Sequence, residues 1–463
     1  MRNIRASLEV MSQEELLKMH DTIMTVLEEM GIRVPNQELI NMCLELGCTA
    51  EGDVIHFPRR VMEDFIEKQR KHSPHKIGEN AHPLYGYVST QVSLVDYTTR
   101  TRRYGLRKDN LKGVKLIEHL RNIPGSNAVV VPSDVPYSIA DAVTIADVQK
   151  YSKKPGGTYV LTPFGAKYVH QINELLGLRG YYLFESISPL TFKADTVAMA
   201  LDFAKRGSMI GIAPMAMSSA TAPTTIAGTL VIEAAEVVGS SFLVHTMSGQ
   251  FPQFAASCHS LDPKTMLCSF GSPNQALFAV AIGQLARFYG VQGGGNAALT
   301  DAIMPDFQGG FEKGVGAILS SMSGLCSIGC QGIAGADQGF SFEQLVIDNE
   351  WLDYVNYLTR GFEVNDDFLG LDAIREVGIG GNFLTEEHTV DYMRDSYWTS
   401  DLFGRCDWNT WLAEGGKTLG DRAHDFVERV TAGYEDMEPV RDAETCRELD
   451  KIVADALRDA EKV

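Results

Sequence analysis

The side chains that could do chemistry are few, and they stand where short apolar runs end. Such runs predict buried strands, and strand ends are where parallel α/β folds place their ligands. These ends carry no lysine for a Schiff base, no His-x-His pair, no carboxylate cluster for a metal and no glycine-flanked serine nucleophile. The sequence therefore predicts a neutral recess in which another molecule supplies the reactive group. The polar and aromatic candidates at the predicted strand ends are Asp134, Phe164, Glu185, His245, Asn296 and Gln331.

Most of these candidates also have a purely structural interpretation. His245 lies in an apolar run, where it is either a hydrogen-bonded core histidine or a substrate contact, and the same alternatives hold for Gln331. Asp134 either caps the following helix or supports the site. Glu185 is a helix cap, an internal ion pair or a site carboxylate, and Phe164 is a core residue or a ligand wall. The sequence alone leaves these alternatives open.

Strand-like and helix-like segments alternate eight times between residues 127 and 358. Each predicted strand is short and apolar, as expected for a strand buried on both faces. Eight such units predict an α/β fold, a (β/α)8 TIM barrel, rather than an open sheet with a glycine-rich first turn. Residues 210–300 contain only five charged side chains, so we expect them in the interior. The predicted strands are Asn127–Pro132, Thr158–Thr162, Tyr181–Ser186, Met209–Pro214, Ser241–Met247, Met266–Phe270, Gly290–Gly293 and Leu325–Gly329.

Helical extensions are expected on both sides of the barrel. The first helix is predicted to begin after Ser12, which forms a capping box with Glu15. The expected divisions are a helical region over 1–75, a short strand and turn segment over 76–110, the barrel over 111–362, and a cap with C-terminal helices over 363–463.

Composition excludes several classes of protein. The 463 residues are 44% hydrophobic and 22% charged, which indicates a folded globular chain. The net charge of −19 disfavours nucleic acid as a partner. The uncharged run Gly207–Ile232 contains Pro214 and Pro223, so we predict no membrane span. Eight scattered cysteines and no predicted signal peptide favour reduced thiols in the cytoplasm.

Four stretches in register over roughly residues 10–410 carry a joint signature. Residues 214–228 read PMAMSSATAPTTIAG, and residues 306–312 read DFQGGFE. Residues 341–350 read SFEQLVIDNE, and residues 378–389 read GIGGNFLTEEHT. Taken together, they resemble the segments that mark the trimethylamine methyltransferase superfamily, in its branch without pyrrolysine.

The resemblance implies a (β/α)8 barrel that moves a methyl group from an amine to the Co(I) of a separate corrinoid protein, in anaerobic one-carbon metabolism. Founding members carry pyrrolysine, which this chain lacks; the corresponding position is expected near 296–301. Relatives without it act on quaternary amines such as glycine betaine, proline betaine, carnitine or γ-butyrobetaine. A quaternary nitrogen leaves as a neutral amine, so no general acid is required. The resemblance thus implies a quaternary amine:corrinoid methyltransferase with no permanently bound cofactor and no metal of its own.

Such an enzyme must hold a cation against aromatic faces and provide donors for a betaine carboxylate. The 306–312 residues instead have a structural alternative, in which they cap and fix the helix after the seventh strand. We predict Phe164, Tyr97, Phe340 and Phe383 as aromatic walls, His245, Gln331 and Asn296 as carboxylate donors, Glu185 as a further substrate contact, and Asp134, Asp306, Gln308 and Glu312 as supports of the site.

Two other functions remain open. A non-catalytic betaine-binding or regulatory barrel would bind its ligand without a corrinoid partner. A lyase or hydrolase acting alone is disfavoured by the missing lysine and metal ligands. The hydrophobic excess of the barrel also favours a homo-oligomer.

Overall fold

The structure, a computed structural model, describes residues 8–72 and 84–462 and is a mixed α/β fold. Short π or 3-10 turns lie at Val26–Met30, Tyr137–Ile139, Phe383–Thr385 and Tyr434–Asp436. In the described ranges the helices are α1 (Gln13–Thr25), α2 (Gln37–Glu45), α3 (Arg59–His72), α4 (Arg107–Ile117), α5 (Ala140–Tyr151), α6 (Pro163–Leu176), α7 (Ala194–Lys205), α8 (Ile226–Ser248), α9 (Pro273–Tyr289), α10 (Phe307–Met322), α11 (Phe342–Arg360), α12 (Asp366–Leu369), α13 (Leu371–Val377), α14 (Glu387–Tyr392), α15 (Trp408–Ala413), α16 (Leu419–Thr431) and α17 (Ala443–Ala460).

The strands are short. They are β1 (Ile32–Arg33), β2 (Thr49–Glu51), β3 (Val54–His56), β4 (Tyr85–Val88), β5 (Ser93–Val95), β6 (Arg102–Tyr104), β7 (Ser126–Asn127), β8 (Gly156–Gly157), β9 (Tyr181–Phe184), β10 (Met209–Ile212), β11 (Met217–Ser218), β12 (Phe254–Ala256), β13 (His259–Leu261), β14 (Cys268–Ser269), β15 (Gly293–Gly295), β16 (Ser327–Gln331), β17 (Ile333–Ala334) and β18 (Gly339–Phe340).

Parallel pairs also join β11 to β13 and β5 to β18, but eight other parallel-paired strands alternate with helices along the described chain: β4, β7, β8, β9, β10, β12, β15 and β16. They form three hydrogen-bonded groups, β12-β15-β16-β4, β7-β8 and β9-β10. A single parallel bridge between Gln91 and Val130 links the first two groups. Over the described residues the ladder does not close into one ring, although the order of elements follows the predicted strand–helix alternation.

The predicted strand Ser241–Met247 is wrong, because these residues form the last two turns of α8. The helix ends at Gly249, a left-handed C-cap whose N–H donates to the carbonyl of His245 over 2.8 Å. Five of these seven residues are buried, with His245 and Thr246 half-buried, and so apolar a run has no periodicity that separates strand from helix.

The predicted strand Met266–Phe270 is also wrong as a member of the parallel set. Only Cys268–Ser269 is extended there, and it pairs antiparallel with His259–Leu261. The parallel strands in this part of the chain are instead β12 and β15. The three-residue run Phe254–Ala256 is too short to stand out from the loop that contains it.

The first helix begins as its sequence predicts. The Ser12 side chain accepts from the backbone N–H of Glu15, and the Glu15 carboxylate accepts from the N–H of Ser12 over 2.7 Å. This confirms the capping box. The helix carries Leu16, Met19 and Ile23 into the main hydrophobic core, where it packs against α8. The N-terminal region is therefore part of the same core as the parallel strands.

Helix α8 forms the centre of the packing. It is the one helix in the described chain that is long and apolar enough to cross a membrane, and 72% of that window is buried inside the protein. It carries two buried carboxylates, Glu233 and Glu236, on an otherwise apolar helix. Both carboxylates bind loops at the ends of parallel strands, as shown below.

The segment from Gly361 to Gly416 has the opposite character. None of the residues in α12, α13, α14 or α15 is buried. Its apolar side chains include Phe362 at 79% and Leu384 at 75% exposure. Helices of this length gain little stability alone, so contacts outside them must hold this segment in place.

Candidate active site

Four tyrosines lie on or just after three of the parallel strands, β4, β8 and β9. Alternate residues of a strand share a face, so Tyr87 lies on the same face of β4 as Tyr85, and Tyr181 on the same face of β9 as Glu185. The rings of Tyr85 and Tyr87 are 5.6 Å apart and meet edge to face. Tyr159 follows β8. The aromatic faces therefore come from three different strands.

These tyrosines are reached by solvent and yet surrounded by protein. Tyr87, Tyr159 and Tyr181 are 46%, 44% and 47% exposed, whereas burial raises the pKa of each, for Tyr181 to about 12. A side chain that lines an internal space open to water has both properties. The three rings are thus half-exposed and at the same time set among many protein atoms.

The neighbours of Tyr159 show which groups share that recess. After burial, the pKa of Tyr159 is raised by the nearby Cys330, Glu185, Tyr181 and Asp337. The pKa of Tyr87 is raised by burial and then by Tyr85 and Tyr181, among others. The residues Tyr87, Tyr159, Tyr181, Glu185 and Asp337 are called the strand-end site below.

Glu185 has no partner in this site. In the part of the chain that the structure describes, no hydrogen bond or ion pair engages its carboxylate, and burial alone raises its pKa. The residue is exposed, so water and any bound cation can reach a carboxylate that no described side chain neutralises. Glu185 is therefore suited to a cationic ligand.

Asp337 is held by a side chain from the loop after β4. Its carboxylate accepts from the Gln91 side chain over 2.6 Å, and burial raises its pKa. Its φ of 69° lies in the left-handed region, next to Ala336 at 49°. Non-glycine residues adopt this conformation rarely, and strained backbone of this kind occurs often at functional sites.

Asn296, a predicted contact, follows β15 at a strand end. Its side chain lies across Gly329 of β16, where an added Cβ would be 2.7 Å from the Asn296 Oδ1 atom. Its carbonyl accepts from the Gln275 side chain over 3.1 Å. The structure therefore places Asn296 beside the strand ends, as the sequence predicts.

His245 is placed elsewhere, because its predicted strand is a helix. Its ring stacks on Phe251 at 4.3 Å and lies near Phe65 of α3. It borders a cavity of about 280 Å³ between α3 and α8, together with Lys68 and Phe242. This position is at the carboxyl end of a helix, not at the carboxyl end of a parallel strand.

Gln331 lies on the wrong face of its strand for the recess. It is fully buried against Gly86, whose missing Cβ would be 2.3 Å from the Gln331 amide. Gly86 alternates with Tyr85 and Tyr87 on β4 and so belongs to the opposite face. Neither amide atom of Gln331 finds a partner among the described residues.

The four predicted aromatic walls do not come together. Tyr97 donates to Asp421 over 2.8 Å and stacks on His424, which attaches α16 to the fold. Phe340 is fully buried, and Phe164 packs against the core near Tyr168. Phe383 lies on the exposed 361–416 segment.

Two of the residues predicted to support the site, Asp134 and Asp306, accept hydrogen bonds from backbone N–H groups at the starts of helices. Asp134 accepts from the N–H of Arg107 over 2.8 Å, so it caps the start of α4. Asp306 caps α10 by accepting from Gly309 over 3.0 Å. Asp306 thus matches its structural alternative, whereas Asp134 caps the preceding helix α4 and not the following helix α5.

Gln308 and Glu312 hold the loop after β15. Gln308 donates to the Glu312 carboxylate over 2.8 Å. The other Glu312 oxygen accepts from the Thr300 hydroxyl over 2.6 Å and from the N–H of Asp301 over 2.9 Å. Asp301 in turn accepts from Phe270 over 2.6 Å. This network ties two strand-end loops together.

Two buried carboxylates of α8 hold three further strand-end loops. Glu233 accepts from the N–H of Ala216 over 2.7 Å and of Ser257 over 2.5 Å, beyond the ends of β10 and β12. Glu236 accepts from Ser186 over 2.6 Å and from Leu190 over 2.8 Å, beyond β9. Burial raises the pKa of both carboxyl groups. These contacts bridge strands that no ladder joins.

Sequence reasoning missed Tyr87, Tyr159, Tyr181 and Asp337. The period-two pattern of Tyr181, Leu183 and Glu185 was the available signal, because only one face of a barrel strand points inwards. Asp337 carries no such signal, since it belongs to a loop whose backbone conformation sets its position. No three His, Cys, Asp or Glu side chains in residues 8–72 and 84–462 are grouped as ligands for a metal ion.

Comparison with known sequences covers nearly the whole chain. A family model described as trimethylamine methyltransferase (MTTB) matches residues 1–461. The glycine betaine methyltransferase of Desulfitobacterium hafniense (strain Y51) is 26% identical over 96% of both chains. The trimethylamine methyltransferase MttB of Methanosarcina barkeri is 27% identical over 96% of this chain and 94% of the relative.

A solved structure shares the fold. The monomethylamine methyltransferase MtmB of Methanosarcina barkeri superposes with a TM-score of 0.50 and 11% sequence identity. The match covers 95% of this chain and 91% of that chain. At this identity, the likeness bears on the fold alone.

Proposed function

Because the chain belongs to the trimethylamine methyltransferase family, we propose that it moves a methyl group from a quaternary amine to the Co(I) of a cognate corrinoid protein. The strand-end site is the observation that supports this function best. Tyr87, Tyr159 and Tyr181 are partly open to solvent, and Glu185, directly after β9, has no hydrogen-bond or ion-pair partner among the described residues. Aromatic faces attract a quaternary ammonium, each by about 0.5–2 kcal/mol.

The proposed methyl transfer requires neither a nucleophile nor a proton donor from this chain. The acceptor supplies the nucleophile, and the electron pair of the broken C–N bond stays on nitrogen, which leaves as a neutral tertiary amine. No proton has to be moved. The tyrosines and Glu185 hold the cation, orient one methyl group towards the open end of the recess and limit its contact with water.

The corrinoid protein is proposed to dock over the loops that surround the recess. The loops and the start of α10 expose large apolar side chains, Met266 (66%), Ile303 (62%), Phe307 (86%) and Phe311 (61%), and the rings of Phe307 and Phe311 stack 6.2 Å apart. Contiguous exposed apolar groups of this size mark interaction surfaces. The chain itself then needs no permanently bound cofactor.

The remaining sequence predictions enter as parts of this proposal. The eight parallel strands in strand–helix order favour a (β/α)8 barrel. A cytoplasmic location and a homo-oligomeric state stay predictions. Asn296 remains a proposed contact of the site because it lies at a strand end. The alternative function is a barrel that binds the amine without transferring its methyl group. One experiment distinguishes these two functions.

That experiment measures the loss of Co(I) absorbance of a corrinoid protein when this chain and a quaternary amine are added. The proposal expects loss that requires all three components, with an equal amount of tertiary amine formed. A corrinoid protein that is active with its own methyltransferase provides the control. Binding of the amine by calorimetry without any methyl transfer would instead identify a binding protein.

A further inference from the structure

The exposed 361–416 segment carries an apolar surface that its own chain does not cover. From residue 361 to residue 397 no side chain is buried. Surface patches of this kind mark interfaces, because soluble proteins rarely leave so many apolar groups in contact with water. The exposed large apolar side chains of this stretch are Phe362, Val364, Phe368, Leu369, Leu371, Ile374, Ile379, Phe383, Leu384, Val390, Met393 and Tyr397.

The chain also exposes more surface than a compact monomer does. Its accessible area is 22663 Å², whereas a folded monomer of this length is expected to expose about 17,000 Å². Granting the residues outside the described ranges the area of a fully extended chain, about 3,000 Å², still leaves an excess of about 3,000 Å². Permanent homodimers bury about 2,000–5,000 Å² or more in their interfaces, and transient complexes bury less. The excess is therefore large enough for a permanent interface.

The segment leaves the fold at the end opposite the candidate site. Helix α11 leads into it, and the Asn356 side chain near the end of α11 donates to the carbonyl of Leu84 over 2.8 Å. Leu84 directly precedes β4, so this is the amino end of the strand. A corrinoid protein docked over the strand-end loops would leave the start of the segment uncovered, and it would leave again after each transfer. A permanent partner must therefore be a different molecule.

The charge of the segment restricts what can cover it. It contains twelve acids and three bases. One of these bases, Arg375, pairs with Asp372 inside the segment over 2.9 Å. Two such segments packed against each other would repel, because like charges would face each other across the interface. The covering surface must therefore be basic.

Residues 98–115, called the basic face below, have the required charge. They contain seven bases and one acid. Three of the bases pair with acids of their own chain. Arg100, Arg102 and Lys108 are exposed, and no acid pairs with them among the described residues. Tyr104, which is 72% exposed, adds an aromatic ring to this face.

The basic face also has a recess for an apolar side chain. Arg100 and Arg102 line a cavity of about 180 Å³ together with Val95 and Ile303. Ile303 is itself 62% exposed at this position. The cavity thus combines two guanidinium groups with apolar walls, as an acidic and apolar segment would require.

Both surfaces lie on the same side of the chain. Tyr97, directly before the basic face, donates to Asp421 over 2.8 Å, and Asp421 follows shortly after the end of the segment. The Thr98 hydroxyl lies 3.4 Å from the His424 ring nitrogen Nε2. In a two-fold dimer each surface contacts its counterpart on the other copy, so the two surfaces must be neighbours.

We propose that two copies of this chain form a permanent two-fold dimer, in which the exposed 361–416 segment of each copy packs against the basic face of the other. The apolar side chains supply the buried area, and the opposite charges orient the two surfaces. This inference goes beyond the proposed function and does not depend on it, because its test contains neither an amine nor a corrinoid protein.

The test is sedimentation equilibrium of the full chain at micromolar concentration. The parent should have twice the mass of one chain. Arg100→Glu combined with Arg102→Glu should raise the dissociation constant roughly 100-fold, because the basic face then repels the acidic segment. Ile379→Ser combined with Leu384→Ser should raise it at least about 10-fold through the loss of apolar contact.

The matched control replaces two exposed bases outside the basic face. Lys18 lies on α1 and Arg60 on α3, and neither has an acid partner in the part of the chain that the structure describes. Lys18→Glu combined with Arg60→Glu changes the net charge by the same amount and should leave the dimer intact. Circular dichroism and thermal unfolding show whether each variant is folded.

A second measurement uses the parent chain alone. A carbodiimide joins lysines directly to carboxylates, and the two-chain product is separated from the single chain and digested. Mass spectrometry should find Lys108, Lys112 or Lys115 joined to a carboxylate of the 361–416 segment in the two-chain product and not in the single chain. A parent with the mass of one chain, a dimer that either folded variant leaves intact, or a two-chain product without these links would overturn the inference.

Discussion

The ring of Tyr181 lies over Gly211: a Cβ added to that glycine would be 2.3 Å from the tyrosine hydroxyl oxygen. The two residues sit on neighbouring parallel strands, β9 and β10. Glycine at this position gives the ring space against the backbone of the next strand. The position of one aromatic wall of the strand-end site therefore depends on a missing side chain.

Gly211→Ala should displace the Tyr181 ring without unfolding the protein, since the end of a tyrosine in an open recess can move. Loss of one aromatic face predicts a fall in kcat/KM of about 2- to 30-fold. The control is Gly314→Ala, where no atom lies within 4 Å of the added Cβ. Unchanged kcat/KM in Gly211→Ala would show that Tyr181 does not contact the substrate.

Two substitutions of Tyr159 show whether it binds the ammonium ion through its aromatic ring or through its hydroxyl group. Tyr159→Phe keeps the ring face and should retain affinity for the ammonium ion within about 3-fold. Tyr159→Leu keeps apolar volume but loses the face, and should weaken binding by roughly 0.5–2 kcal/mol. Calorimetry with tetramethylammonium measures both. Equal losses in the two variants would assign the effect to the hydroxyl group.

Binding should depend on pH through Glu185. Burial raises the pKa of this carboxyl above its ordinary value near 4.5. A bound cation favours the ionised form, so affinity should be full above the raised pKa and should fall as the pH decreases through it. Burial raises the pKa of Tyr159 and Tyr181, so both hydroxyl groups stay protonated over this range, and it also raises the pKa of Asp337.

Glu185→Gln separates the two acids in that titration. The variant should show a flatter profile of affinity for tetramethylammonium against pH, with any remaining slope assigned to Asp337. An identical profile in the parent and the variant would remove Glu185 from the binding site.

Glu233 is predicted to stabilise the strand ends. Glu233→Ala leaves the backbone N–H groups of Ala216 and Ser257 without an acceptor in the interior. The expected loss is about 2–5 kcal/mol in the free energy of unfolding, from two unpaired donors. Glu29→Ala, at an exposed position, is the control. Denaturant unfolding that finds less than about 0.5 kcal/mol would show that the contacts with Glu233 are not needed.

Phe307 tests the docking surface independently of the amine. Phe307→Ser should raise the KM for the corrinoid protein by about 10-fold, because it removes a large exposed ring from the proposed interface. Amine binding by calorimetry should not change. Phe362→Ser, on the exposed 361–416 segment, is the matched control. The proposed interface is wrong if the two variants behave alike.

The sequence predicts the alternation of elements better than the identity of each strand. The capping box at Ser12 depends on local contacts and is confirmed. Ser241–Met247 is misassigned because a run buried on all sides carries no period. β4 and β12 consist of three or four residues, and long-range pairing rather than local pattern identifies them.

The residues of the candidate site are brought together by the fold, and their separation along the sequence does not predict this. Glu185 could be found because its strand is correctly predicted and its charge is unusual at a strand end. Tyr159 follows a two-residue strand, and only the folded chain places it beside Glu185. Gln331 shows the reverse case, since a register shift between Ile328 and Gln331 precedes it and its side chain lies on the other face.

The most direct test of methyl transfer follows the methyl group itself. Tetramethylammonium with fully deuterated methyl groups is incubated with this chain and a Co(I) corrinoid protein, and both products are examined by mass spectrometry. The account predicts one deuterated methyl group on the corrinoid for each deuterated trimethylamine released, and no release without the corrinoid protein. Release of trimethylamine without the corrinoid protein, or an unlabelled corrinoid beside released amine, would contradict it.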